Sequence, residues 1–398
     1  MTAMADHSGG HADGPGAIRV TQEPCLFVGP DLARTGGAAY HMRQIFRWIC
    51  TPSVTFATFG SSVPPDVAKR VARVVHIEKQ KWTGYPAAIS RLASLLRETR
   101  PAATLAFGMQ PLLAAWAAFR LIGHRRGLGY IEITRPWKAF NTSGWGPRTY
   151  ANDWLLRRSL ARCDIVTANC TDGVEELRTH FHVPAAISRR VHNLLDFSEF
   201  PPGKSDYRIT GPARLVTTSR LVPDKGLEDL IEAVARLATR HDVHLTIVGD
   251  GPLRGTLERL AQSNAVADRV FFSGWANPPF AHITAADLFV FPSHYEGFPN
   301  SVLEPMGLGV PVVTSFWGTD ARELAAAGAV LGHEPGDVGG LCHQIETALE
   351  QEHLRRNLAE KARACAAQYD SRTAALEYDL LFAELAAIGA SRAGATGA

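Results

Sequence analysis

Short runs of β-branched residues alternate with segments of helical period over most of this 398-residue chain. Runs such as SVTFATFG and HLTIVGD have the composition of buried strands, and amphipathic segments such as YPAAISRLASLLRETR lie between them. Strands that alternate with helices form parallel sheets, because a parallel pair needs a long crossover connection. The alternation therefore predicts an α/β fold in which parallel sheets are flanked by helices.

The alternation stops once and then begins again. Residues 200–213, FPPGKSDYRITGPA, are rich in proline, glycine and charge, which is typical of a linker. A chain of this length also exceeds what one core normally holds. We therefore predict two Rossmann-like domains that face each other across a cleft, where open α/β sheets bind ligands. The predicted parts are a disordered leader at 1–20, a first, acceptor-binding domain at 21–200, a second, nucleotide-sugar domain at 201–370, and a C-terminal helix at 371–398 that packs toward the first domain and frays at its end.

The charges are divided unevenly between the two predicted domains. Residues 1–200 hold 24 Lys and Arg against 15 Asp and Glu, and residues 201–398 hold 17 against 24. The basic half permits peripheral contact with an anionic membrane, although an ordinary solvated surface is the simpler explanation. Six cysteines without a CxxC pair fit reduced thiols in a cytoplasmic protein. We expect no nucleic-acid partner.

Three strand ends of the predicted second domain carry residues suited to a nucleoside diphosphate. Arg220 and Lys225 precede a predicted helix, and two cations beside a helix N-terminus form a receptor for phosphate. A solvated turn is the alternative explanation. Gly249 in VGDGP marks a second strand-to-helix turn, and Gly274 and Trp275 in FFSGWANPP mark a third, where a nucleotide base could lie against the backbone.

Residues 293–313, SHYEGFPNSVLEPMGLGVPVV, place Glu296 and Glu304 on either side of a Gly-Phe-Pro turn. Glu304 has an alternative explanation, because Ser301 and Glu304 have the S-x-x-E spacing of a helix capping box. Pro305 complicates that cap, since it cannot donate the first hydrogen bond of a helix capped by Ser301. The helix should begin by Ser301, direct its N–H groups toward a phosphate and leave Glu296 to accept hydrogen bonds from sugar hydroxyls.

In this order and spacing, SRLVPDKG, VGDGPLR and YEGFPNSVLEPMGLGVPVV resemble the nucleotide-sugar domain of a large family of retaining GT-B glycosyltransferases with a Glu-x7-Glu element, glycosyltransferase family 4 or glycosyl transferases group 1. TGG at 35–37, CDIVTANC at 163–170 and VHNLLD at 191–196 resemble its acceptor-domain motifs more loosely. The resemblance implies a GT-B fold and transfer of a hexose or N-acetylhexosamine from a nucleoside diphosphate sugar, most often UDP, to a hydroxyl. The acceptor would be a glycan, a lipid-linked sugar or a small natural product. Retention of anomeric configuration without a metal or other cofactor is also implied.

The resemblance assigns roles to individual residues as well. Arg220 and Lys225 would bind the donor diphosphate and stabilise the leaving group. Glu296 would contact the transferred sugar, and Glu304 would hold the ribose hydroxyls. Further contacts with the donor are implied for Gly37, Gly297, Phe298, Pro299, Asn300, Ser301 and Val302.

The acceptor side departs from the commonest family pattern. Many members carry a histidine in the segment that corresponds to AFGMQPL, which has none here. Glu132 and Arg135, in LGYIEITRPW, resemble a motif of members that act on polysaccharide or lipid-linked acceptors, and we expect both to face the cleft. His180 and His182 have no further ligand nearby in the sequence, so we expect no metal site there.

Two other functions are compatible with the same fold. A sugar-nucleotide epimerase would also bind a nucleoside diphosphate sugar, but its pattern around the two glutamates differs. A non-catalytic nucleotide-sugar-binding subunit would be expected to lose at least one of Arg220, Lys225, Glu296 and Glu304, and all four are present.

Overall fold

The computed structural model of the protein describes residues 21–32, 37–77, 85–123, 126–135, 137 and 146–395. Two parallel sheets with separate hydrophobic cores on their faces divide this part of the chain. The predicted fold class is therefore confirmed. The predicted leader, and Thr35 and Gly36 of the TGG motif, lie outside the described residues.

The first sheet is built from the residues before the linker. Its strands are β1 Cys25–Gly29, β2 Val54–Thr58, β3 Arg73–His76, β4 Ala103–Phe107, β5 Gly127–Glu132, β6 Ile165–Ala168 and β7 Ser188–Arg190. The strands lie in the order β3-β2-β1-β4-β5-β6-β7 and every pair is parallel. The helices are α1 Gly37–Trp48, α2 Pro65–Ala68, α3 Tyr85–Thr99, α4 Met109–Ile122, α5 Pro147–Leu160 and α6 Thr171–Thr179.

The second sheet follows the linker and repeats the plan. Its strands are β8 Ala213–Thr218, β9 Val243–Val248, β10 Val270–Gly274, β11 Leu288–Phe291, β12 Val312–Ser315 and β13 Leu331–His333. They lie in the order β10-β9-β8-β11-β12-β13, again all parallel. The helices are α7 Leu227–Leu237, α8 Arg254–Ser263, α9 Phe280–Ala285, α10 Asn300–Leu308, α11 Thr319–Ala326, α12 Val338–Glu350, α13 Glu352–Ala366 and α14 Ser371–Ala395.

Strands that are buried on both faces explain the nearly continuous apolar runs in the sequence. In β1, the side chain of Phe27 belongs to the core on one face of the sheet, whereas Leu26 and Val28 belong to the core on the other. All three are fully buried. None of the helices in the described part of the chain is both long and apolar enough to cross a membrane.

The last helix, α14, returns to the first sheet and completes its core with Tyr378, Phe382 and neighbouring apolar side chains. Tyr378 Oη lies 2.7 Å from Nε2 of the buried His41 in α1. Gly127 permits the close approach of this helix, because a Cβ there would lie 2.2 Å from the carbonyl oxygen of Leu385. The chain therefore uses its C-terminus to bury one face of the first sheet.

The chain passes between the two sheets at two adjacent places, after β7 and before α14. Leu195 N–H donates to Tyr369 O at 3.0 Å, and Ser371 N–H donates to Leu195 O at 3.0 Å. Strand β7 ends at Arg190, before the VHNLLD motif. The reason is that Leu195 pairs with the returning chain and not with β6.

Candidate active site

Two neighbouring strands of the second sheet, β8 and β11, bring the predicted donor residues together. The strands pair directly, and the order of the sheet reverses between them. Arg220 follows β8, whereas Glu296 follows β11. Ligands of open α/β sheets bind where the strand order reverses, outside the carboxyl ends of the strands. The fold thus places these residues at the position that such sheets use for binding.

Lys225 and Glu296 are in direct contact at this edge. Lys225 Nζ donates to Glu296 Oε1, and the two side chains are only 14% and 16% exposed. Ser293 Oγ lies 2.9 Å from the same carboxylate oxygen. Gly226 makes the turn possible, because its φ is +60° and a Cβ would lie 2.2 Å from the carbonyl oxygen of Pro292. A cation and a hydrogen-bond acceptor are therefore held side by side at the reversal.

Arg220 is exposed, and its guanidinium has no hydrogen-bond or salt-bridge partner among the residues that the structure describes. Gly249 lies against Ser219, the residue before Arg220: at φ +148°, a Cβ on Gly249 would lie 1.8 Å from the carbonyl oxygen of Ser219. The Gly249 N–H donates to Gly274 O at 2.8 Å, and Trp275 beside it is 58% exposed. The two glycines thus shape the strand ends around an available cation and an exposed indole ring.

Helix α10 begins at Asn300, in agreement with the prediction that it starts by Ser301. No side chain caps its N-terminus. Among the described residues, Glu304 forms no hydrogen bond, so the predicted capping-box alternative is wrong. The helix instead starts after Pro299, whose fixed φ suits the extended residue before a helix. Within the same part of the chain, the N–H groups of Asn300 and Ser301 donate to no protein group. The helix start is therefore able to bind an anion.

Two other residues of this segment have buried side chains. The Val302 N–H donates to Pro299 O at 3.1 Å and its side chain is fully buried, so it offers no donor to a ligand. The Phe298 ring is 5% exposed and packs against Trp317 and Tyr369, with centroid distances of 5.4 and 4.9 Å. Only the backbone of Phe298 is available for contact with a donor.

Glu304 lies on α10 and is partly buried. Burial raises the pKa of its carboxyl to about 8. No ion pair or hydrogen bond compensates for this burial in the described part of the chain. Tyr40 of α1 approaches from the other domain: burial raises the pKa of Tyr40, and the Glu304 charge adds to that shift. A carboxyl group that is held without a protein partner is suited to form hydrogen bonds with ligand hydroxyls.

An asparagine of the first domain holds the turn after Glu296. Asn193 Nδ2 donates to Phe298 O and to Asn300 Oδ1, both at 2.8 Å, and Asn169 Nδ2 donates to Asn193 Oδ1 at 3.0 Å. Gly297 lies close to the first domain as well, since a Cβ there would lie 3.1 Å from the carbonyl oxygen of Ile133. The turn is thus anchored to both domains.

Glu132 does not face the cleft, so that expectation is wrong. It is 4% exposed and accepts hydrogen bonds from Tyr130 Oη, from the N–H groups of Ile133 and Thr134 at 2.9 Å, and from Thr134 Oγ1 at 2.7 Å. These donors lie in β5 and in the turn that follows it, and together they occupy both carboxylate oxygens of Glu132. Glu132 therefore fixes the turn after β5, and an acceptor would not reach it.

Arg135 lies between the two domains. Its Nε donates to Glu176 Oε1 at 2.9 Å, and its guanidinium carbon lies 5.2 Å from the centre of the Tyr295 ring. Gly37 begins α1 and is exposed, one turn before Tyr40, which faces Glu304. The structure therefore places Gly37 on the first-domain side of the same cleft.

Sequence reasoning missed three of these residues. Asn193 belongs to the VHNLLD motif and Asn169 to the CDIVTANC motif, but neither motif indicates that an amide reaches across to the other domain. Tyr40 follows the glycine loop at helical spacing and reads as an ordinary core residue. In each case, the missing information is the relative placement of the two sheets.

Two family models match consecutive parts of the chain. The model described as "Glycosyltransferase Family 4" matches residues 35–199, and the model described as "Glycosyl transferases group 1" matches residues 204–364. The boundary between the two matches falls at the predicted linker.

Two curated relatives match this chain over about two thirds of their own length. The chain is 25% identical over 252 residues to the N-acetylgalactosamine-N,N'-diacetylbacillosaminyl-diphospho-undecaprenol 4-alpha-N-acetylgalactosaminyltransferase of Campylobacter jejuni, which covers 63% of this chain and 68% of that protein. It is 27% identical over 278 residues to the N-acetyl-alpha-D-glucosaminyl L-malate synthase of Bacillus anthracis, which covers 68% of this chain and 71% of that protein.

Among solved structures, the Anabaena protein Alr3699/HepE in complex with UDP has a similar fold. The TM-score is 0.74 at 19% identity, and the match covers 91% of this chain and 100% of that one. The same protein in complex with UDP-glucose matches with a TM-score of 0.70 at 20% identity over 90% of this chain and 98% of that one. At this level of identity, the likeness shows the GT-B fold.

Proposed function

Because this chain belongs to the GT-B glycosyltransferases of the family 4, group 1 type, we propose that it transfers a hexose or N-acetylhexosamine from a nucleoside diphosphate sugar to a hydroxyl group, with UDP as the nucleotide and with retention of anomeric configuration. The observation that carries the proposal is the contact of Lys225 with Glu296, which precedes the start of α10 in the chain. Arg220, which follows the neighbouring strand, has no side-chain partner in the described part of the chain. Three positive features and one hydrogen-bond acceptor meet at the reversal of the second sheet.

The charges suit the departure of a diphosphate. Breaking the bond between the anomeric carbon and phosphate develops positive charge on the sugar ring and negative charge on the leaving group. In the proposal, Arg220, Lys225 and the N–H groups at the start of α10 contact the diphosphate, so they stabilise the transition state more than the ground state. In this proposal, Lys225 moves part of its contact from Glu296 to the diphosphate.

The two glutamates have different tasks in the proposal. Glu296, released in part by Lys225, accepts hydrogen bonds from hydroxyls of the transferred sugar. Glu304 accepts hydrogen bonds from the ribose hydroxyls, which supply the partners that its carboxylate lacks among the described residues. Retention follows when the acceptor hydroxyl attacks from the same face that the diphosphate leaves, and the leaving phosphate takes the proton. No metal is needed for these steps.

A transfer assay tests the proposal. The protein is incubated with UDP-glucose, UDP-N-acetylglucosamine, UDP-galactose and UDP-N-acetylgalactosamine against a panel of glycans, lipid-linked sugars and small hydroxyl acceptors, with and without EDTA. UDP release that requires an acceptor and persists in EDTA is expected, and proton coupling constants of the product report the anomeric configuration. Inversion of configuration, or a strict requirement for a divalent metal, would contradict the corresponding part of the proposal.

The alternative functions predict other outcomes of the same assay. An epimerase would convert the sugar nucleotide without any acceptor. A non-catalytic subunit would bind UDP in calorimetry but turn over no donor, and Glu296→Ala would then leave nucleotide binding and all other properties unchanged. The presence of all four site residues favours the transferase, because a non-catalytic binding subunit does not need to stabilise a leaving group.

Acceptor delivery from a membrane has one structural feature in its favour. A cavity of about 440 Å³ on α4 and α5, the Trp-Arg pocket, is lined by Trp116, Arg120, Trp154, Arg157, Arg158, Ala161 and Arg162. Arg157 is paired with Asp153, but Arg120, Arg158 and Arg162 form no salt bridge with the described residues. The guanidinium carbons of Arg120 and Arg158 lie 5.7 and 4.6 Å from the ring centres of Trp116 and Trp154. Trp154 is 53% exposed. Exposed indole beside cations that no described acid neutralises suits the interface of an anionic bilayer.

We therefore propose that the Trp-Arg pocket binds anionic membranes, and vesicle sedimentation tests this. Vesicles with anionic lipid should retain the protein, and neutral vesicles should not. Arg120→Gln with Arg158→Gln should weaken binding by about 30-fold, since each cation near such a surface contributes about 1 kcal/mol. The control is Arg208→Gln with Arg236→Gln on the second domain, where both residues pair with nearby acids. Equal loss in both pairs would contradict a specific pocket.

A further inference from the structure

Two helices from different domains cap each other at their N-termini. The N–H and Oγ1 groups of Thr171, which begins α6, donate to Asp320 at 2.9 and 3.0 Å. The N–H and Oγ1 groups of Thr319, which begins α11, donate to Asp172 at 3.0 and 2.6 Å. Each aspartate thus satisfies the exposed backbone donor of the opposite helix. We call these four residues the reciprocal caps.

Each aspartate of the reciprocal caps also meets an arginine of the first domain. Arg190 donates to Asp320, which is only 2% exposed. Arg135 Nη1 lies 3.3 Å from Asp172 Oδ2. The fit at Asp172 is close, because a Cβ on Gly318 would lie 2.3 Å from Asp172 Oδ2. Hydrogen bonds between charged groups and the positive helix ends make this a specific contact between the domains.

Arg135 extends this contact to the candidate active site. Its guanidinium carbon lies 5.2 Å from the centre of the Tyr295 ring, and the Tyr295 hydroxyl donates to the carbonyl oxygen of Arg135 at 2.9 Å. Tyr295 immediately precedes Glu296. One residue of the first domain therefore touches both a reciprocal cap and the side chain of Tyr295, which precedes Glu296 in the chain.

We propose that Arg135 is a positioning residue for the donor sugar: it holds the Tyr295–Glu296 segment in place when the reciprocal caps join the two domains. The inference deepens the proposed function and rests on it in one respect, the contact of Glu296 with the transferred sugar. Within the described part of the chain, Arg220, Glu304 and the start of α10 form no hydrogen bond, salt bridge or ring contact with Arg135, so the nucleotide part of the donor depends on other residues. Loss of Arg135 should then affect the sugar and spare the nucleotide.

Calorimetry with UDP and with UDP-glucose tests this separation. Arg135→Met keeps the length of the side chain and removes the guanidinium. We expect the Kd of UDP to change by less than about threefold and the Kd of UDP-glucose to rise by about tenfold, since a charge-assisted contact is lost. Arg135→Lys should restore part of the difference. An equal change for both ligands, or no change for either, would overturn the proposal.

Two further variants separate positioning from general damage. Arg190→Met is the matched control, because Arg190 meets the other cap and not Tyr295; it should change the ratio of the two affinities less than Arg135→Met does. Asp172→Asn should resemble Arg135→Met, and combining the two should add little, because both act through one contact. Fully additive effects would count against the shared contact.

Small-angle X-ray scattering tests the reciprocal caps without any donor. Thr171→Val with Thr319→Val removes two interdomain hydroxyl bonds and keeps the side-chain shape. The radius of gyration should increase if the caps hold the domains together, and an unchanged value would overturn that part. If the wild-type protein fails to bind UDP-glucose, the choice of donor in the proposed function fails, whereas the scattering result still decides the role of the caps.

Discussion

Replacing Glu304 with glutamine should stabilise the protein at alkaline pH and weaken its hold on the nucleotide. The folded protein raises the pKa of Glu304 from its ordinary value of 4.5 to about 8 because the carboxyl is buried. A group whose pKa is raised on folding favours the folded state below its unfolded pKa. This contribution is lost as the pH rises through the folded value. Glutamine does not ionise, so the variant avoids the loss.

The size of the effect follows from the shift. The pKa shift of Glu304 lowers the free energy of unfolding by at most about 5 kcal/mol well above pH 8. Between about pH 5.5 and pH 8.5, the free energy of unfolding of the wild type should fall by about 3 kcal/mol relative to Glu304→Gln. For a domain of this size, this difference moves the thermal midpoint by about 6 to 12 °C.

Thermal unfolding of both proteins at several pH values between these limits measures the effect. Glu296→Gln is the control, because it removes a carboxylate that pairs with Lys225 and should bring no alkaline gain. Calorimetry should show UDP binding to Glu304→Gln weakened by about tenfold or more, as expected when a carboxyl group with two acceptor oxygens is replaced by an amide with one. Parallel pH profiles for wild type and Glu304→Gln would refute the reasoning.

Three other predictions follow from single contacts. Lys225→Ala should lower kcat by about 10²-fold in a steady-state transfer assay, because one cation leaves the site of developing charge; a loss below about threefold would contradict the assigned role. Asp379→Ala should destabilise the protein by about 3 kcal/mol in urea titrations, because this buried carboxylate accepts hydrogen bonds from Cys50 and Thr51. Gly249→Ala should destabilise by at least about 2 kcal/mol, since its Cβ would clash with a backbone carbonyl, whereas Gly255→Ala within helix α8 should be neutral or stabilising.

The order of strands and helices was largely predictable, because strands buried on both faces need apolar, β-branched runs. β13 was not predicted: it has three residues, Leu331–His333, and a glycine stands in its centre. The donor side of the site was also predictable from the sequence. Its residues follow the ends of two strands in sequence: Arg220 and Lys225 after β8, and Glu296 and Glu304 after β11. Local spacing is enough when a site is built at the ends of consecutive strands.

The acceptor side of the site was harder to predict from the sequence, for a physical reason. A motif fixes which residue follows a strand but not which way its side chain turns, and Glu132 turns back onto its own loop. Asn193 and the reciprocal caps depend on how two separately folded sheets meet. No local pattern reports that arrangement, because the partners are more than 100 residues apart.

Helix α14 gives this chain an unusual order of assembly. Its apolar side chains complete the core of the first sheet, yet they follow the whole second domain in the sequence and therefore leave the ribosome after it. The first half of the chain therefore emerges with one face of its sheet uncovered and stays so while the whole second domain is synthesised. Chaperones that shield exposed apolar surface should bind the nascent chain during this interval. Separate expression of residues 21–200 should give an aggregation-prone fragment that soluble α14 peptide rescues.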